Sequence, residues 1–430
     1  MNISTLLSLL KIGFIAFLLN GFALTAQNSY EPKPIVFVHG FLASGDTYAL
    51  QFQRFHSNCY PLDYLHTFDW NSLDNGADQN VLLDAFIDSI LVMTGESQVD
   101  LVGHSAGGGI GYGYLADATR AAKVAHYAHL GSSPNEQPAG PTDAFVPTLN
   151  VWSSADLIVA GGDIPDAKNV SYDDQDHYQV ATSAETFEAM FRFFQEDFRP
   201  KTTEIVAEEE ILIRGKALTL GENTVEVGAT VEVYPLDATT GSRLNETPSF
   251  AFTTDSNGWW GPFTAETDVH YEFFVVPANP DARSLHYYRE PFTHSNPLIY
   301  LRTFPTSALF NILLGGIPNN AEEAGMVVFT SSAAVVYERD ELSIDGTSIA
   351  TEEFTSADQT AIAFFLYDSN GNGVSDESAI ATFTALPFLN GIDFFFPAAP
   401  ASSIAVEYNG RVLNVPNYAS EDGLILVVFD

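Results

Sequence analysis

From Pro34 to about Arg199, short apolar runs alternate with helically spaced apolar positions. Ile35-Val36-Phe37-Val38 predicts a buried strand by its β-branched run, and Val99-Asp100-Leu101-Val102 a second. Thr67–Trp70 ends another strand, and Val124–Leu130, Leu149–Trp152 and Asn169–Tyr172 read as further ones. Between them, Leu82, Phe86, Ile90 and Met93 recur at helical spacing, a helix is expected from about Ala106, and Ala184–Phe198 carries Phe187, Phe191 and Phe194 on one side. This alternation implies a mostly parallel sheet with helices on both faces. After Arg199-Pro200-Lys201 the helical spacing largely disappears. Short strands with Gly, Asn and Asp turns replace it: Thr224–Tyr234, Ser249–Thr254 and Tyr271–Val276. Near Phe304 a second β unit begins, with strands over Ala361–Tyr367, Ala379–Phe383, Ile392–Phe396 and Leu424–Phe429. The pattern divides the chain into an α/β region at 27–200, a β-sandwich at 201–305 and a C-terminal β domain at 306–430.

The first segment stands apart. Leu6–Leu24 is almost continuously apolar and gives way to polar Gln27, Asn28 and Ser29, which predicts a signal peptide over 1–26, cut near Ala26. No later stretch is long and apolar enough to span a bilayer, so no stable membrane span is expected once the signal is removed. The expected location is extracellular or periplasmic.

Charge changes the picture further. With 17 Lys+Arg against 55 Asp+Glu, the formal net charge is -38. Such a surface excludes nucleic acid as a partner, because phosphate binding needs basic patches. Self-repulsion on this scale favours a medium in which salt screens it, and points to a marine or salt-adapted source; a prokaryotic one is expected. Cys59 is the single cysteine, so no intramolecular disulfide forms; a buried, inert thiol is expected.

Candidate chemistry gathers at Gly103-His104-Ser105-Ala106-Gly107, a G-x-S-x-G string with a strand leading in and a helix leading out. A serine on such a turn exposes its hydroxyl, and the flanking glycines let two backbone segments approach. Gly108, Gly109, Gly111 and Gly113 extend into the helix and predict that it packs tightly on the sheet. Ser105 needs a base. His177 follows the late strand and precedes the last helix of the α/β region, whereas His126 and His129 lie too early and His104 adjoins the serine. The acid that orients this base is expected at a strand end, which favours Asp156 over Asp163, Asp166, Asp173, Asp174 and Asp176. Two N–H groups are required for the oxyanion. Ala106 supplies one, and Phe41, in the loop His39-Gly40-Phe41-Leu42, the other.

These residues resemble the α/β-hydrolase lipases and esterases. Val38-His39-Gly40-Phe41, Gly103–Gly107, Asp156 and Asp176-His177-Tyr178 stand where that family's motifs stand, and the short span from Pro34 to Phe198 is similar to small lidless bacterial lipases. The resemblance implies a triacylglycerol lipase or carboxylesterase that requires no cofactor. Further on, Phe252–Gly258 with Gly261-Pro262-Phe263 resembles a transthyretin-like or immunoglobulin-like sandwich. His286–Arg289, Phe292, Ser295–Leu298 and Tyr300–Arg302 resemble the tail of prokaryotic lipases that join a minimal hydrolase to a C-terminal β domain, a further sandwich or barrel. That resemblance implies acyl-chain binding by the β domains. Phe364-Phe365, Phe383, Phe388 and Phe394-Phe395-Phe396 provide aromatic surface for such a role or for an ordinary β core.

Asp368, Asn370, Asn372 and Asp376 space oxygen ligands like the start of a Ca²⁺ loop, with Gly373 at the sixth position; Ala379 stands where a bidentate Glu belongs. A structural Ca²⁺ site and a plain polar hairpin both fit. Two other functions keep the same motifs: a polymer or glycan-ester esterase docked by its β domains, and a surface-binding protein with a vestigial hydrolase domain.

Overall fold

Alternate side chains of a strand point to opposite faces, and Ile35–Val38 uses both. Val36 and Val38 pack with Leu83, Ile87, Leu101 and Tyr114 on one face. Phe37 packs against Tyr48, Phe52 and Phe55 on the other. In the computed structural model this strand, β1, belongs to a six-stranded sheet with β2 (Leu65–Phe68), β3 (Val99–His104), β4 (Val124–Leu130), β5 (Thr148–Ser153) and β6 (Lys168–Tyr172). The order is β2-β1-β3-β4-β5-β6 and every pairing is parallel. The described residues are 32–74, 76–305, 308–384, 386 and 388–430. The expected signal peptide lies outside them.

Two helices cover the Phe37 face, Ala49–Ser57 and Ala184–Phe194, joined through Phe55, Phe187 and Phe191. The Ser183 side chain caps the second by accepting from the Thr186 N–H. On the opposite face lie helices Gln79–Thr94 and Ala106–Leu115. Asp78 caps the first and Gly95, with φ of 76°, ends it. This helix turns only part of the expected face inward: Ile90 is in the core and Phe86 packs against it, but Leu82 and Met93 point out. Leu83, Ile87 and Ile90 are buried, while Leu82 and Met93 are 49% and 64% exposed. Both sets follow helical spacing, so periodicity alone did not decide which met the sheet.

In the β region one sheet takes strands from both sides of residue 305. An eight-stranded sheet contains Thr230–Leu236, Phe250–Thr253, His270–Val276 and Leu285–Arg289, but also Met326–Thr330, Ala363–Tyr367, Leu389–Asp393 and Leu424–Phe429. Leu424–Phe429 is the junction, running parallel to Leu285–Arg289 on one side and to Met326–Thr330 on the other. All six of its residues are buried, as an unbroken apolar strand between two neighbours should be. One core accordingly holds Phe273 and Tyr287 together with Val327, Phe365 and Leu426. Residues Lys33–Asp430 form one compact unit. Smaller sheets complete it, including a four-stranded one from Leu342–Ile344, Thr347–Ser348, Ala399–Tyr408 and Arg411–Asn417.

Local expectations are corrected at three places. Ala379–Phe383 is not a strand; Ala381–Phe383 forms a 3-10 turn whose Phe383 packs on Phe365. The strand expected from Thr224 begins at Thr230. Cys59 is exposed, on a left-handed turn (φ 67°) that ends the helix Ala49–Ser57 and directs the thiol toward Lys201 at 3.4 Å. Among the described residues, no helix is long and apolar enough to cross a membrane.

Candidate active site

Ser105 sits between β3 and the helix Ala106–Leu115 with φ 54° and ψ −124°. A non-glycine residue held there costs on the order of 1–3 kcal/mol, so its surroundings must fix it. They do: the Ser105 N–H donates to Leu130 O at 3.0 Å, and the Ser105 carbonyl accepts from the Gly108 N–H at 2.9 Å and from the Ser132 hydroxyl. The turn leaves no room for side chains at the motif's glycines. A Cβ on Gly103 would lie 2.5 Å from Gly107 O, and one on Gly107 would lie 2.3 Å from Val38 O. The expectation of close packing fails at Gly109, where a Cβ would meet nothing within 4 Å.

His177 follows β6 and is buried. Its Nδ1 lies 2.7 Å from Asp156 Oδ2. A carboxylate only accepts, so Nδ1 carries the proton and Nε2 is left as the basic nitrogen. Asp156 stands just past β5, and its Oδ1 accepts from the Ile158 and Val159 N–H groups at 2.9 Å each. Burial alone would raise its carboxyl. The bonds from His177, Val159 and Ile158 outweigh burial and hold it below the ordinary carboxylate range. Asp176, next to His177 in sequence, turns elsewhere: it accepts from the Tyr178, Gln179 and Ala334 N–H groups. Asp163 accepts from the Trp152 indole. His104 has a role its sequence position did not suggest. Its Nε2 donates to the His177 carbonyl at 2.9 Å, and the two rings lie 4.6 Å apart.

Ala106 opens its helix, so its N–H has no intrahelical acceptor. Phe41 follows β1, in the loop that the His39 ring anchors. His39 Nδ1 donates to Gly40 O at 2.8 Å, and Nε2 accepts from the Trp70 N–H at 3.1 Å. Burial pushes His39 down to about 4, keeping it neutral and able to accept. Asn223, from the β region, reaches the same loop: its Nδ2 lies 2.9 Å from both Ala43 O and Trp70 O. Neither His39's anchoring nor the contribution of Asn223 was expected from sequence. A Gly-Glu-Asn turn (221–223) signals a bend but says nothing of what it docks against.

Ser105, His177, Gly40 and Phe41 line one pocket. Ala43, Ala49 and Ile158 of the α/β region add to it, and another wall comes from far along the chain: Leu298, Phe329, Ile362, Phe388 and Val428 present apolar surface, and Arg289 and Arg302 line it while paired with Asp430 and Asp46. Of the aromatic positions singled out in the sequence, Phe388 reaches this pocket. Phe364, Phe365, Phe383, Phe394 and Phe396 are buried in the β cores. No residue between Gly131 and Pro147 lines the pocket.

In the loop considered for Ca²⁺, hydrogen bonds within the loop occupy much of the oxygen surface. Asp368 accepts from the Gly371, Asn372 and Gly373 N–H groups, and Asp376 accepts from the amides of Asn370 and Asn372.

A class 2 lipase family model matches residues 32–117, and a lipase C-terminal domain model matches 209–305. A further C-terminal domain model matches 330–430. Among solved structures, a Bacillus licheniformis lipase, BlEst2, is 16% identical with a TM-score of 0.32, covering 38% of this chain and 92% of its own. Aspergillus fumigatus lipase B is 14% identical with a TM-score of 0.30, covering 40% of this chain and 54% of its own. A bromoperoxidase from Bacillus anthracis is 15% identical with a TM-score of 0.30, covering 39% of this chain and 93% of its own. The class 2 lipase match covers the first three strands of the six-stranded parallel sheet, and the lipase C-terminal match covers strands of the β region, so the chain is similar to lipases in both parts.

Proposed function

We propose that the chain is a secreted serine carboxylic ester hydrolase, a triacylglycerol lipase or carboxylesterase, with Ser105 as nucleophile, His177 as base and Asp156 as its orienting acid. The observation that carries this reading is the strained Ser105 in a pocket shared with a histidine whose Nδ1 is held 2.7 Å from a carboxylate. Ser105 Oγ attacks the ester carbonyl carbon while His177 Nε2 takes its proton. The carbonyl oxygen becomes an oxyanion facing the Phe41 and Ala106 N–H groups. The tetrahedral intermediate expels the alcohol, which takes the proton from the imidazolium. Water, deprotonated by the same nitrogen, then cleaves the acyl-enzyme and restores Ser105. Asp156 stabilises the imidazolium without taking its proton. The apolar wall of Leu298, Phe329, Ile362, Phe388 and Val428 suits the acyl chain, so the substrate class is an ester with an apolar acyl group.

Hydrolysis of p-nitrophenyl esters from short to long acyl chains tests this. Ser105→Ala should lose kcat on the order of 10⁶-fold and no longer react with a fluorophosphonate probe. Equal hydrolysis by both proteins would remove Ser105 from the mechanism.

A further inference from the structure

Away from the pocket, three side chains from three separate segments converge. His56 lies in the last turn of the helix Ala49–Ser57, Glu208 in the connection between the α/β and β regions, and His294 in the stretch before Leu301–Thr303. His56 Nδ1 is 3.0 Å from His294 Nε2 and 3.0 Å from Glu208 Oε1, and His294 Nε2 is 3.5 Å from the same oxygen. Among the described residues, this is the one group of three His, Cys, Asp or Glu side chains whose ligand atoms come close enough together to share a metal ion. We propose that it binds a divalent transition-metal ion of zinc's ligand preference, fastening the β region to the hydrolase.

The donor geometry carries the proposal. Tetrahedral coordination at about 2.0–2.1 Å per bond spaces ligand atoms roughly 3.3 Å apart, between the separations found here. The supporting contacts aim the donors. His294 Nδ1 donates to Val206 O at 2.5 Å, which leaves Nε2 as the lone-pair nitrogen pointing into the cluster. Glu208 Oε2 accepts from the Ser295 N–H at 2.8 Å, which leaves Oε1 facing both rings. His294 is buried, whereas the His56 side chain is 31% exposed, so an ion enters from solvent and keeps a water as its fourth ligand.

Without metal, one N–H on His56 Nδ1 could serve both neighbours as a plain hydrogen-bonded triad, and the experiment separates the two. The full chain is stripped with a chelator and dialysed, then titrated with Zn²⁺ by calorimetry, with Co²⁺ absorption reporting ligand type. One equivalent of saturable Zn²⁺ binding, a rise in Tm on loading and a tetrahedral Co²⁺ spectrum are expected. Glu208→Gln and His56→Ala should each weaken binding at least about tenfold. Absence of one-site binding would overturn the proposal. So would Zn²⁺ affinity undiminished in both variants, which would assign the ion to the acidic surface. None of these readouts depends on ester hydrolysis.

Discussion

Asn223 Nδ2 lies 3.2 Å from His39 Nε2, although the two residues are 184 positions apart in the chain. The β region thus props the loop that carries the Phe41 N–H, and it does so with a buried amide whose Oδ1 has no partner among the described residues. Asn223→Ala should lower kcat roughly 10- to 100-fold with little change in KM, because the donor moves while the acyl wall stays. Stability should fall by about 1–3 kcal/mol. Kinetics on a soluble ester alongside thermal melts separate the effects; a lower Tm with unchanged kcat would make Asn223 a structural contact only.

Asp156→Asn keeps size and removes charge. The amide can donate to His177 Nδ1 and trap the tautomer in which Nε2 carries the proton. A loss of kcat of roughly 10⁴-fold is expected, with the fold retained. A loss below about tenfold, measured with a short-chain ester, would point to another acid.

Three buried histidines, with the half-buried His66, contribute to the response to acid. Burial is the leading cause in each, lowering His39 and His129 to about 4 and His104 to about 3, below the ordinary value near 6.5. Between these values the unfolded chain binds protons that the folded chain refuses, so stability rises with pH there and is lost as pH falls from about 6.5 toward 4. Each group contributes a slope of roughly 1.4 kcal/mol per pH unit inside that window. Urea melts from pH 8 to pH 4 should show the midpoint falling in this range; a flat midpoint down to pH 4.5 would contradict the assignment.

Salt should stabilise the protein. At a formal net charge of -38, shrinking the Debye length from about 30 Å at 0.01 M salt to about 10 Å at 0.1 M relieves long-range repulsion. Tm is expected to climb across this range and onward to seawater-like NaCl. No gain would argue against adaptation to salt.

What the sequence revealed depended on how local each signal is. The Ser105 turn is fixed by residues within a few positions of it, so strand, glycines and helix were all legible. Chain order and strand ends singled out His177 and Asp156, whose side chains lie 2.7 Å apart. The facing of Gln79–Thr94 was not legible, because Leu82 and Leu83 each begin an apolar series and only packing against β1 and β3 chooses between them. Nor was the continuity of the β region, since the neighbours of Leu424–Phe429 lie about 100 and 140 positions earlier and leave no periodic trace. The same distance hid the pocket wall and the support from Asn223.

The place of Leu424–Phe429 has a consequence for the timing of assembly. A ribosome emits this strand after both of the strands it joins, so Leu285–Arg289 and Met326–Thr330 wait with open edges until it arrives. Val428 then completes the wall beside Ser105. The turn at Ser105 is built from neighbouring residues and can form early in synthesis, but the pocket wall beside it cannot close until Leu424–Phe429 has been made.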